Sequence, residues 1–108
     1  MLECYGDYAM NCVIMIYIFN MKTPKQLERY FKGAANHWRI AILLTVEKNE
    51  GIIVEEIATE LGGNFKTISQ HTRSLVHAGL LNKKYRGRQV THFLSPYGKF
   101  FSKFTKTF

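Results

Sequence analysis

At 108 residues, with 46% hydrophobic and 21% charged residues, the chain has the size and composition of one folded domain, which excludes a disordered or fibrous protein. Its net charge of +7 is placed asymmetrically: all eight acids lie at or before Glu60, whereas residues 61–108 hold nine Lys or Arg and no acid. A uniformly basic half fits a polyanionic partner, because each cation that neutralises a phosphate releases condensed counterions; spread over several elements instead of one amphipathic segment, these cations argue against a membrane surface.

Residues 1–20 form an N-terminal extension unlike the rest, with an unbroken apolar run of eight from Cys12 to Phe19 behind Glu3 and Asp7. The run is shorter than the roughly 20 apolar residues of a bilayer span. It also lacks the basic start and small-residue cleavage site of an export signal. Three readings of the extension stay open: an added strand, a dimer-contacting helix, or a stretch ahead of a true start at Met21. Cys4 and Cys12 sit in no close-spaced ligand motif, so free thiols in a reducing cytoplasm are expected.

Residues 21–108 read as the domain proper. Thr23-Pro24 opens a short helix in which Leu27, Tyr30 and Phe31 recur at helical spacing up to Gly33. A second helix follows Asn36 and runs from His37 to about Lys48. Its Trp38, Ile40, Ala41, Ile42, Leu43, Leu44 and Val46 are apolar almost all round, which predicts a buried central helix. Asn49-Glu50-Gly51 breaks it, and Ile52-Ile53 leads on as a short extended piece.

Residues 54–79 carry the pattern on which the chain is organised. Val54, Ile57, Ala58 and Leu61 make one apolar stripe, Gly62-Gly63 closes that helix, and Asn64 caps the next. The next helix, Phe65 to Ala78, is expected to bury Ile68, Leu75 and His71 and to present Lys66, Thr67, Ser69, Gln70 and Arg73 outward with no acid among them. Hydroxyls, an amide and cations in that arrangement suit a DNA groove: Gln bonds adenine, Arg guanine, and Ser or Thr the phosphates. The plainer alternative is an amphipathic helix with a solvated polar face.

After Gly79, Leu80–Tyr85 and Gln89–Leu94 read as two strands around Arg86-Gly87-Arg88. Lys83, Lys84, Arg86 and Arg88 on this hairpin are placed to reach phosphates or a narrow minor groove; the alternative is a solvated edge hairpin kept from pairing by its lysines. Ser95-Pro96 then starts a last helix, with Tyr97, Phe100, Phe101, Phe104 and Phe108 as one aromatic face and Lys99, Lys103 and Lys106 opposite. Such a face is more apolar surface than a small monomer leaves wet; the alternative folds these rings onto their own domain, and a mixture of the two is expected.

The runs Ala34-Ala35-Asn36-His37-Trp38-Arg39-Ile40-Ala41-Ile42-Leu43, Val54-Glu55-Glu56-Ile57-Ala58, Thr67-Ile68-Ser69-Gln70-His71 and Ala78-Gly79-Leu80-Leu81 resemble the ArsR-like winged helix-turn-helix repressors over roughly residues 25–104. Thr72 departs from the family's usual leucine and Ile53 from its Ser or Thr cap. The resemblance implies a mainly α fold with a small β-hairpin, a hairpin acting as a wing on double-stranded DNA, and a homodimer built through Leu27, Tyr30, Phe31 and the aromatic face of the last helix.

The metal-sensing motifs of that family are missing. Residues 54–61 contain no cysteine and residues 95–108 no Cys, His, Asp or Glu, while His37, His77 and His92 are isolated in sequence. No metal or other cofactor is therefore expected. Neither a phosphate-binding glycine loop nor paired carboxylates in the basic half suggest an enzyme, and no polar constellation identifies a small-molecule effector. The function expected is a sequence-specific transcriptional regulator, repressing as a dimer on a near-palindromic operator. Its rivals are a protein-interaction winged helix and a binder of structured RNA or non-specific DNA.

Overall fold

The computed structural model describes residues 22–108; the N-terminal extension, with its apolar run and both cysteines, lies outside the described residues. Among the described residues, five helices and one hairpin follow in order: α1 (Pro24–Ala34), α2 (His37–Lys48), α3 (Val54–Leu61), α4 (Phe65–Ala78), β1 (Leu81–Arg86), β2 (Gln89–Leu94) and α5 (Pro96–Thr105). This is a winged helix-turn-helix, mainly α with a two-stranded antiparallel sheet.

Local chemistry sets the helix starts. At α1 the Thr23 hydroxyl accepts from the Gln26 N–H at 3.2 Å, and the Gln26 amide oxygen accepts from the Thr23 N–H at 2.9 Å. That reciprocal box satisfies two donors that the first turn leaves open. Asn36 caps α2 through the Trp38 N–H at 2.9 Å. At α3, where Ile53 has no side-chain acceptor, only half a box forms: the Glu56 carboxylate accepts from the Ile53 N–H at 3.3 Å.

The core lies between α2, α3, α4 and the base of the hairpin, with Ile42, Val46, Ile57, Ile68, Leu75 and Leu80 fully buried. The helix α2 is not buried all round. Its Ile42, Leu43, Thr45 and Val46 face inward, but Ile40 and Leu44, one turn apart, are each 36% exposed. Ile52 joins the sheet: its carbonyl accepts from the His92 N–H at 3.0 Å and the His92 carbonyl from the Gly51 N–H at 2.8 Å. The hairpin is thereby fastened to the segment that enters the helix-turn-helix.

The two glycines of the turn have different reasons. Gly62 adopts φ 66°, the left-handed conformation that ends α3. Gly63 is required by contact instead: a Cβ there would lie 2.9 Å from Ile68 and 3.2 Å from Trp38. At the other end of the domain, the Ser95 hydroxyl donates to the Gly79 carbonyl at 2.7 Å and accepts from the Gly98 N–H at 3.0 Å, which ties the start of α5 to the end of α4. The helix α5 stops at Thr105, so Phe108 lies beyond it and not on its face; the Phe108 ring packs edge-on against Phe104 at 5.2 Å.

Candidate nucleic-acid interface

The helix α4 begins with one strong cap. The Asn64 amide oxygen accepts from the N–H groups of Lys66 at 2.8 Å and Thr67 at 3.4 Å, satisfying two donors that the first turn leaves open. Ile68, Thr72, Leu75 and Ala78 are buried, Lys66, Thr67, Gln70 and Arg73 are exposed, and Ser69 is half-buried. Thr72 occupies its buried site without an unpaired hydroxyl, because Oγ1 donates to the Ile68 carbonyl at 2.8 Å.

His71 departs from its expected place in the core. It is half-buried, and its Nδ1 accepts from the Arg39 Nε at 3.2 Å, while the same guanidinium donates to the Lys32 and Gly33 carbonyls at 3.3 Å each. An accepting Nδ1 requires the neutral imidazole with its proton on Nε2. Burial, then the charges of Arg39 and His37, hold its pKa below the ordinary 6.5.

The strands β1 and β2 pair from Leu81 with Leu94 to Arg86 with Gln89, so Arg86 belongs to the strand and Gly87-Arg88 alone form the tip. Because side chains alternate across a strand, the four hairpin cations divide. Lys83 joins Ser69, Gln70 and Arg73 around an open groove of about 930 Å³. Lys84 and Arg86 instead line a separate depression of about 510 Å³ with Glu50, Tyr85 and Phe93, the Lys84 ammonium 5.4 Å from the Phe93 ring. Arg88 is exposed at the tip.

The larger groove also contains cations that the sequence did not single out: Arg29 and Lys32 from α1, and Arg39 from α2. The available signal was weak. Arg29 and Lys32 lie three apart on a helix whose apolar pattern drew the reading toward dimerisation, some 40 positions before the residues they adjoin.

The aromatic surface is elsewhere. Phe31 meets Phe101 edge-on at 5.1 Å, and Phe31, Phe100, Phe101 and Phe104 line a purely apolar groove of about 210 Å³. Leu27, Phe31, Tyr97, Phe100, Phe104 and Phe108 are exposed, Phe100 at 76%, and Phe101 is half-buried. Tyr30 departs from this set: it is only 9% exposed, packed 4.9 Å from Tyr97 with the Lys22 ammonium over both rings. Its ring belongs to its own domain.

Among the described residues, no three His, Cys, Asp or Glu side chains come together as a metal site, and no helix is long and apolar enough to cross a membrane.

No protein-family model matches the chain, and no curated protein does. Solved structures do match. HlyU from Vibrio cholerae is 26% identical with a TM-score of 0.69, over 77% of this chain and 90% of that one. The transcriptional repressor PagR of Bacillus anthracis is 20% identical with a TM-score of 0.69, over 75% and 93%. The homodimeric winged helix-turn-helix DNA-binding domain of Mb0332 from Mycobacterium bovis, a possible ArsR-family transcriptional regulator, is 22% identical with a TM-score of 0.69, over 98% and 89%. The chain resembles the ArsR-like winged helix-turn-helix regulators in fold.

Proposed function

We propose, with that fold as premise, that the chain is a DNA-binding transcriptional regulator without catalytic chemistry, acting as a homodimeric repressor on a near-palindromic operator. The observation that carries the reading is the surface of α4: Lys66, Thr67, Gln70 and Arg73 stand exposed on a rigidly capped helix, and Ser69, Gln70 and Arg73 share a groove with Lys83 in which no acid takes part. In this reading Gln70 and Arg73 read base edges, while Lys66, Thr67, Ser69 and the hairpin cations hold phosphates. Two copies place their α4 helices in successive major grooves, roughly 34 to 36 Å apart. The homodimer named for Mb0332 and the repressor named for PagR support the assembly and the direction of regulation.

The test is a salt-titrated binding assay on the duplex upstream of the chain's own gene and on a shuffled duplex of equal composition. Tight binding to the first alone is expected, and Gln70→Ala or Arg73→Ala removes about 1 to 3 kcal/mol of that discrimination. Equal binding to both duplexes overturns specific regulation in favour of a general nucleic-acid binder. No binding at low salt overturns the DNA reading and leaves the aromatic face as the working surface of a protein-interaction module.

A further inference from the structure

We infer that the DNA-contacting surface of each protomer continues past the helix-turn-helix onto α1, where Arg29 and Lys32 bind backbone phosphates from α1's side of the recognition helix. The inference rests on the DNA-binding reading above and adds to it a phosphate-binding element.

Three observations support it. The groove beside α4 is continuous from Lys83 of the hairpin, past Gln70, Arg73 and His77, to Arg29 and Lys32, so a polyanion seated on α4 meets both cations without a change of surface. The α1 edge of that groove is also fixed. A Cβ on Gly33 would lie 2.4 Å from the Ala78 Cβ, so the missing side chain lets α1 close directly on α4, and Arg39 bonds the last carbonyls of α1 to His71. The two cations therefore keep a set distance from the recognition helix, and their long side chains extend from a positioned backbone.

Neither cation is consumed by the fold. Arg29 is exposed, its guanidinium 5.8 Å from the Tyr30 ring. Lys32 pairs with Glu28 at 3.5 Å, but this is an exposed i,i+4 pair, a weak interaction that a phosphate readily replaces. Arg presents a donor fork that matches phosphate oxygens, and Lys a mobile point charge. The competing structural role is that Lys32 merely offsets the negative end of the α1 dipole. That role concerns stability and not DNA.

The experiment measures duplex affinity against salt concentration for the full chain, the Arg29→Ala/Lys32→Ala double variant, Glu28→Gln, and a Lys83→Ala/Arg88→Ala hairpin control. Two lost phosphate contacts lower the slope of log affinity against log salt by about 1.8, an affinity loss on the order of fiftyfold near 0.1 M salt. The preference between operator and shuffled duplex stays as it was, because phosphates carry no sequence. Glu28→Gln tightens binding severalfold by releasing Lys32. The inference is overturned if the α1 double variant and Glu28→Gln bind as the parent does while the hairpin control loses affinity and slope; in that event the DNA-binding reading stands alone. A parent chain that binds no duplex at low salt overturns both. Thermal unfolding of the α1 variants separates the dipole role, which shifts Tm and leaves the salt slope unchanged.

Discussion

A single guanidinium holds three elements together: Arg39 on α2 donates to the imidazole of His71 on α4 and to two carbonyls at the end of α1. The bond to His71 exists only while that ring is neutral. His92 has a related constraint in the sheet, 4% exposed, with Nδ1 3.3 Å from the Ile52 carbonyl. Its pKa is depressed chiefly by burial, with the Ile52 carbonyl opposing, so both rings fall below the ordinary 6.5. The unfolded chain then takes up protons before the folded one does. The stability these rings contribute is complete above pH 6.5 and is lost as pH falls through 6.5 toward their folded values. Urea midpoints measured between about pH 7.5 and 5.5 should fall with acidity, and His92→Phe should flatten part of that fall. A midpoint that is constant or rises on acidification refutes the assignment of neutral, desolvated rings.

Among the elements, α4 depends most on its first residue outside the helix. Asn64 satisfies two open N–H donors with one oxygen, and none of the residues in the first turn of α4 is acidic, so no carboxylate supports that end against the dipole. Asn64→Ala should cost about 1 kcal/mol, a drop in Tm of about 4 to 8 °C for a domain of this size. Asn64→Asp, which keeps the acceptor and adds a favourable charge, should restore it; an equal loss in both variants would show that Asn64 acts through something other than its side-chain acceptor, and no loss in Asn64→Ala would show that the cap matters little. Such local devices explain what was legible in the sequence. Gly62, Asn64 and the Ser95-Pro96 pair mark boundaries through chemistry within a few residues, so α3, α4 and the start of α5 lie where the pattern puts them. The misreadings share the opposite character. Periodicity says that Tyr30, Ile40, Leu44 and His71 lie on particular faces, but not which neighbouring element covers that face. Tyr30 is covered by α5 through Tyr97, Ile40 and Leu44 stay exposed, and His71 is drawn to Arg39, 32 positions away. The place of Arg29 and Lys32 beside α4 was hidden for the same reason.

At the scale of the whole molecule, the basic groove and the aromatic groove occupy different parts of the surface and share none of their lining residues. Removing one should therefore leave the other intact. The Lys106 ammonium donates to the Glu47 carboxylate, and this hydrogen bond, followed by the Ser102 hydroxyl, holds the carboxyl below its ordinary value. The pair is a partly exposed surface contact between the end of α5 and α2, and the firmer tie is the Ser95 bond to Gly79 at the start of α5, so the exposed Phe100 and Phe104 stand on a helix held against the end of α4. Exposed rings on a fixed helix form a prepared apolar surface, the kind a second copy covers at little conformational cost. Phe100→Asp/Phe104→Asp places two charges where burial would leave them unpaired. By sedimentation equilibrium, the parent chain should run at about twice its 12.6 kDa mass and the variant at that mass, with unchanged helix content. The monomer should still bind a single half-site, because α4 and the hairpin are untouched. Its affinity for a site with both half-sites should fall roughly 10²-fold, the advantage that linking two modules confers. A parent chain that sediments at 12.6 kDa, with the aromatic variant equally competent on the double site, would separate the aromatic face from DNA binding altogether.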